Sequence, residues 1–187
     1  MRCNWSTSND NLIKYHDEEW GVPAHGDQLL FEHLALDGFQ AGLSWQTILN
    51  RRDNFRKAFD NFDIEKVAAY TEQKINALLN DEGIIRNRLK ILATINNAQR
   101  VLEVQQEFGS FDVYIWSFTG GKPKINAFGS MSEIPATSSE SDSMSKALKK
   151  RGFKFVGSTI CYAFMQATGM INDHITTCDR YAELSGS

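Results

Sequence analysis

Residues 87–107 read NRLKILATINNAQRVLEVQQE, a run without Gly or Pro in which Leu89, Leu92, Ile95, Ala98, Val101 and Leu102 recur at helical spacing. One long helix is the reading of that stretch, and the chain on either side repeats the pattern. Upstream, Ile75, Leu78 and Leu79 lie on one side of a shorter helix begun by Thr71. Further back, Asp63 precedes Val67 and Ala68, Ser44 precedes Ile48 and Leu49, and Asp27 precedes Leu29, Leu30, Phe31, Leu34 and Ala35. Downstream, Ser141 or Ser143 opens a basic helix through Leu148, and Ser158 opens a buried one that ends near Gly169. Only three prolines interrupt the chain, so the expected class is all-α. Residues 119–142, with Gly120, Gly121, Pro123, Gly129 and Pro135, read as a long surface loop.

The chain has 187 residues, which predicts one domain over 1–182 with two helical lobes around a cleft, and a frayed or appended tail at 183–187. Hydrophobic residues make up 42% and charged residues 23%, an ordinary globular composition. No apolar run is long enough to span a bilayer, and no export signal opens the sequence, so a membrane role is not expected. A formal net charge of −3 argues against a histone-like binder but leaves room for a local basic face. Three cysteines, an odd number, suit a reduced cytoplasmic setting better than a disulfide framework.

Four groups of residues carry chemical promise. Cys3 and His16 stand near one end and His174 and Cys178 near the other; the His174–Cys178 spacing of i, i+4 puts both on one face of a helical turn. Together they make a closed Cys2His2 set for structural zinc, although the spacing equally suits a surface histidine and an unrelated cysteine. Trp5, Tyr15, Trp20, Phe39 and Trp45 crowd the first segment among the acids Asp17, Glu18, Glu19 and Asp37. Such a set is either core or an aromatic pocket for a flat cationic ligand. Ile75 to Leu79, the turn Asn80-Asp81-Glu82-Gly83 and Ile84-Ile85-Arg86 form a helix–turn–helix pattern whose free N–H groups suit a DNA phosphate, with Arg86, Arg88 and Lys90 beside it. Lys146, Lys149, Lys150, Arg151 and Lys154 form a basic run, either a solvated face or a phosphate contact.

Four motifs then carry a resemblance. Tyr15-His16-Asp17-Glu18-Glu19-Trp20-Gly21-Val22-Pro23, Gln40-Ala41-Gly42-Leu43-Ser44-Trp45, Gly83-Ile84-Ile85-Arg86 and Lys149-Lys150-Arg151-Gly152-Phe153-Lys154-Phe155-Val156-Gly157 strongly resemble the DNA-3-methyladenine glycosylase I family, from about Cys3 to Cys178. The resemblance implies an all-α helix-hairpin-helix glycosylase that hydrolyses the N-glycosidic bond of 3-methyladenine in alkylated double-stranded DNA, leaving an abasic site and free base. It implies a structural Zn2+ on Cys3, His16, His174 and Cys178. Tyr15, Trp45 and Asp37 become the catalytic set, with Trp45 stacking on the extruded base and Trp5, Trp20 and Leu12 in the pocket. Gly42 and Leu43 fall at the DNA-probing loop, Gly83 and Arg86 in the hairpin, and Lys149 and Lys150 on the backbone-binding face. Two positions depart from the family pattern: Asp37 stands where Glu is usual, and Leu12 where a Tyr is common. No lyase Lys follows the hairpin, so a monofunctional, monomeric, cytoplasmic repair enzyme is expected. The competing readings are a binding-only helix-hairpin-helix protein and a zinc hydrolase with an open metal position.

Overall fold

The computed structural model describes residues 1–186. Eleven α-helices occur among them: α1 (Asp10–Glu18), α2 (Asp27–Gln40), α3 (Trp45–Leu49), α4 (Arg52–Ala58), α5 (Ile64–Ala68), α6 (Glu72–Asn80), α7 (Arg88–Phe108), α8 (Phe111–Trp116), α9 (Ser139–Lys150), α10 (Ser158–Ala167) and α11 (Asp179–Ser185). Two short strands, β1 (Lys124–Ile125) and β2 (Ile171–Asn172), pair in parallel with Lys124 opposite Ile171. None of the described helices is long and apolar enough to cross a membrane.

The middle of the molecule is α2. Every residue from Leu30 to Phe39 is buried, including Glu32, His33 and Asp37, so this helix is enclosed on all sides. It packs against α3, α7, α8 and α10. Phe31, Phe39, Phe55, Phe59, Phe62 and Phe111 fill the space around it with no exposed surface. Glu32 survives there because Arg52 and Arg56 both donate to it, with Arg52 Nε 2.6 Å from Oε1; a buried charge persists when it is paired and hydrogen-bonded.

Local chemistry explains most helix starts. Ser44, Asp63 and Asn87 each accept a backbone N–H from three residues on, as N-caps do. Helix starts differ from expectation in several places, and Ser158, expected as a cap, is instead the first residue of α10 after Gly157. α2 starts at Asp27 itself, with Gly26 before it. α9 starts at Ser139, because Ser138 and Ser141 form a reciprocal capping box that the later serines cannot offer. α1 has no counterpart among the expected helices, although Asn9 caps it and Leu12, Tyr15 and His16 are buried at i, i+3 and i+4. In α7, Leu89 and Leu92 point to solvent, whereas Lys90 and Ile91 are buried, so the apolar stripe rotates in the first turn. Residues 183–185, expected as tail, complete the last turn of α11; Ser187 lies outside the described residues.

Residues 119–142 are less of a surface loop than their composition suggests. They include short 3-10 turns and β1, and the first residues of α9. Their β1 register against β2 and a backbone bond from Thr176 N to Phe128 O tie them to the chain's last quarter. The two ends of the chain meet as well. Asp179 N donates to Met1 O, and Gly169, at φ +66°, would place a Cβ only 2.2 Å from the Val22 carbonyl carbon. Only glycine permits that approach, which seats the end of α10 on the Val22-Pro23 segment.

Candidate functional site

Adjacent residues on α1 face different ways. Tyr15 lines a cavity of about 370 Å³, and its neighbour His16 points into a cluster of sulfur and nitrogen atoms. Neighbours on a helix lie roughly 100° apart, so one helical turn serves two sites that share a wall.

The cluster comprises Cys3, His16, His174 and Cys178, all buried, with one donor atom of each within 4.8 Å of all the others. Cys178 Sγ lies 3.5 Å from both His16 Nε2 and His174 Nδ1, and Cys3 Sγ lies 3.8 Å from His174 Nδ1. The outward ring nitrogens are committed elsewhere: His16 Nδ1 meets Asp17 Oδ1 at 2.8 Å, and His174 Nε2 meets the Trp20 carbonyl oxygen at 2.8 Å. Arg2 in turn grips both Asp17 oxygens at 2.9 Å, and this holds the Asp17 carboxyl down at about 2. Burial pushes the Cys3 thiol up to about 11 and His174 down to about 4. Desolvation disfavours charge on both groups, and a bound cation is what reverses that penalty for a thiolate.

Three aromatic members of the cavity wall are tied to this cluster. Trp5 follows Cys3 by two residues, Tyr15 precedes His16, and Trp20 holds His174 through its carbonyl. Trp5 and Trp20 meet edge to face at 5.1 Å, and Tyr15 and Trp45 tilt together at 5.2 Å. Gly21, at φ +78°, completes the cradle: a Cβ there would press to 3.0 Å from His174 Cδ2.

On another wall α2 presents Asp37. Its side chain is almost fully buried, and Oδ2 has no hydrogen-bond partner among the described residues. Burial drives its pKa well above the usual carboxylate range, against a smaller opposing pull from Arg52. Burial, with Asp37 nearby, likewise raises the Tyr15 phenol. Trp45 Nε1 is buried and unpartnered too among the described residues. An aromatic box with one bare carboxylate and one bare donor is matched to a flat ligand that carries positive charge and hydrogen-bonding edges.

The other sequence-derived residues fall in several places. Trp5, Tyr15, Trp20, Asp37 and Trp45 meet in the cavity. Leu12 is buried but does not line it; it sits one turn before Tyr15 on α1. Gly42 and Leu43 are exposed and line an adjoining hollow of about 220 Å³ that shares Asp37, Gln40, Thr159 and Ala163 with the cavity. Lys90, expected beside the hairpin, is instead buried: its Nζ donates to the Phe39 and Ala41 carbonyls at 2.8 and 2.6 Å. It thereby caps the end of α2 and holds the backbone just before Gly42. Gly83 sits in the turn between α6 and α7, where its N–H donates to Asp81 Oδ1 at 2.8 Å. Arg86 is exposed beside Glu82, and Lys149 and Lys150 are exposed on the last turn of α9. Arg151 is not free, since Glu107 takes both of its terminal nitrogens.

One wall has no counterpart in the sequence reading. Met131, Ile134, Pro135 and Ala136 from the stretch read as surface loop, and Thr159, Tyr162, Ala163 and Gln166 from α10, close the cavity. Thr159, Tyr162, Ala163 and Gln166 recur at i, i+3, i+4 and i+7 on one face of α10, and the polar members of that face are the signal that points to it.

The model of the methyladenine glycosylase family matches residues 5–181. The chain belongs to that family. It is 50% identical over 180 residues, 96% of each chain, to DNA-3-methyladenine glycosylase 1 of Escherichia coli (strain K12). Among solved structures, a 3-methyladenine DNA glycosylase I superposes with a TM-score of 0.93 at 50% identity, covering 96% of this chain and 98% of that one. A tyrosine-to-phenylalanine variant of a 3-methyladenine DNA glycosylase I in complex with 3-methyladenine superposes with a TM-score of 0.92 at 36% identity, covering 95% and 96%.

Proposed function

We infer that this methyladenine glycosylase hydrolyses the N-glycosidic bond of 3-methyladenine in alkylated DNA. The observation that carries the reading is the bare, buried Asp37 carboxyl on the wall of an aromatic cavity. The volume is in the range of small-molecule sites, and none of the described residues neutralises that carboxyl at hydrogen-bond distance. A cationic methylated purine would do so. In a duplex the bond is hidden, so the nucleotide turns out of the stack and the base enters between Trp45 and the facing aromatics. Leu43, exposed at the rim, fills the space the base leaves.

The chemistry asks little of a general acid. A 3-methylated adenine is already positive and departs as a neutral base, so protonation is not the obstacle. Asp37 selects the charge, and Trp45 and Tyr15 orient the ring. Water then completes hydrolysis and leaves an abasic site. The described cavity lining contains no Lys to form a Schiff base, which supports a monofunctional reaction.

Cys3, His16, His174 and Cys178 would hold a structural Zn2+. Bonds of about 2.3 Å to sulfur and 2.0–2.1 Å to nitrogen put tetrahedral S···N edges near 3.5 Å, and the two measured at Cys178 are 3.5 Å. Both outer ring nitrogens have the partners such sites use. Four protein ligands leave no position for substrate, so the metal's contribution is to folding. The α6–turn–α7 corner with Gly83 and Arg86 serves as a helix-hairpin-helix phosphate grip, with Lys149 and Lys150 as further backbone contacts. We place the enzyme in the cytoplasm as a monomer.

Purified protein incubated with methylated duplex should release 3-methyladenine and leave alkali-sensitive, otherwise uncut strands. Duplex binding without any release would reduce the protein to a damage-binding module.

A further inference from the structure

Loop 41–43, which carries Leu43 at the rim of the cavity, is hydrogen-bonded to the rest of the molecule at one point. Ala41 leaves α2 in an extended conformation, and Gly42 turns at φ +78° with open space where a Cβ would stand. Leu43 N only bonds back to Gln40 O, at 2.6 Å. Among the described residues, the one hydrogen bond from this loop to another element comes from Lys90. Its Nζ donates to Ala41 O at 2.6 Å and to Phe39 O, at the end of α2, at 2.8 Å. Lys90 stands on the first turn of α7, where its own N–H donates to the cap Asn87 at 3.1 Å. It therefore belongs to the same hydrogen-bonded turn that follows Gly83 and Arg86. Burial lowers the Lys90 pKa, because the charged form is poorly solvated there. The two carbonyl acceptors offset that penalty and fix where the loop begins.

We propose that Lys90 is a positioning residue for base extrusion, setting the height of the Leu43 probe above the α6–turn–α7 corner. The corner seats the phosphate backbone, and Lys90 carries that register to the loop across a single side chain. Leu43 then meets the base stack at a depth fixed before DNA arrives. Without the ammonium the loop keeps its sequence and loses its set position, and a misplacement of about 1 Å is enough to cost a reaction about 100-fold. Lys90 touches neither the base nor the bond that breaks; it acts through Leu43.

The proposal rests on the glycosylase reading and deepens it. The test uses a methylated oligonucleotide with a single adenine, annealed to a strand that places either thymine or an abasic analogue opposite it. An unpaired base leaves the stack at lower cost, so the second duplex needs the probe less. Lys90→Met should slow single-turnover release of 3-methyladenine about tenfold or more from the paired duplex, as expected for the loss of hydrogen bonds to a charged group. Release from the unpaired duplex should slow by less than about threefold. Leu43→Ala should show the same selectivity, and adding Lys90→Met to Leu43→Ala should slow release little further, since both act through one loop. Equal slowing on the two duplexes, or full additivity with Leu43→Ala, makes Lys90 a structural residue and overturns the proposal. Lys90→Gln, which keeps a donor on a shorter stem, should show the same selectivity and serves where Lys90→Met does not fold; failure of both to fold overturns the proposal as well. Missing selectivity with an active wild type removes only this proposal, whereas wild type that releases no base from either duplex removes the glycosylase reading and this proposal together.

Discussion

Asp37 is costly where it stands. Burial raises its pKa, so the folded protein keeps this proton at pH values where the unfolded chain, with a carboxyl near about 3.9, has released it. The stability it contributes is fullest at low pH and is lost as pH climbs from the unfolded value toward the folded one. Asp37→Asn should therefore raise Tm at neutral pH by roughly 2–4 °C, as expected for about 1 kcal/mol in a chain of this size, while excision falls. A cationic base in the cavity favours the ionised carboxyl, so binding releases a proton and weakens on acidification. Excision should show an acid limb that Asp37→Asn abolishes, and Asp37→Glu should keep it; a limb that persists in the Asn variant assigns it elsewhere. Trp45→Ala tests the stack. Losing roughly 1–3 kcal/mol of stacking should slow excision about 5- to 150-fold and leave duplex affinity nearly intact, and equal losses in both assays would make Trp45 a packing residue. Aromatic crowding around acids is legible as a local pattern, but it does not separate Phe39, which is core, from Trp5, Tyr15, Trp20 and Trp45, nor Asp37 from Asp17, Glu18 and Glu19; the resemblance makes that choice. The α10 wall is not assigned from the sequence, since only folding brings that helix beside α2.

Helix α9 ends in Lys149 and Lys150, both exposed, whereas the next residue, Arg151, lies across Phe108 and Tyr114 and is paired with Glu107. The basic run therefore splits. Replacing Lys149 and Lys150 with Gln should weaken damaged and undamaged duplex alike and reduce the salt slope of log K by about 0.9 for each phosphate that is no longer neutralised. Titrations at several salt concentrations measure this, and an unchanged slope would leave the pair as a solvated face. The long helix α7 is plain from its period, as is the corner before it. Its first turn departs from that period because Leu89 and Leu92 keep the spacing while Lys90, nominally polar, is drawn inside by the carbonyls at the end of α2. Periodicity reports which positions share a face and is silent on what another helix offers a buried ammonium.

Across the whole molecule, the cavity and the Cys/His cluster share a wall: Trp5 and Tyr15 lie beside cluster members in sequence, and the Trp20 carbonyl meets His174 Nε2. Cys178→Ser should lower the metal content from about one zinc per chain and depress Tm, and excision should decline with the loss of fold. Metal analysis and calorimetry check this, and an unchanged Tm with no metal in wild type would dismiss the zinc assignment. The fold class is legible because helix punctuation is local; the cavity wall from residues 131–136 is not, because loop composition says nothing of what a loop covers. The meeting of Cys3 with Cys178 also sets a timetable. During synthesis at roughly 5–20 residues per second, the aromatic segment emerges first and waits for its partners. A nascent or prematurely terminated chain lacking the region around Cys178 has an unclasped pocket. Competence to excise bases thus waits on synthesis of the segment around Cys178.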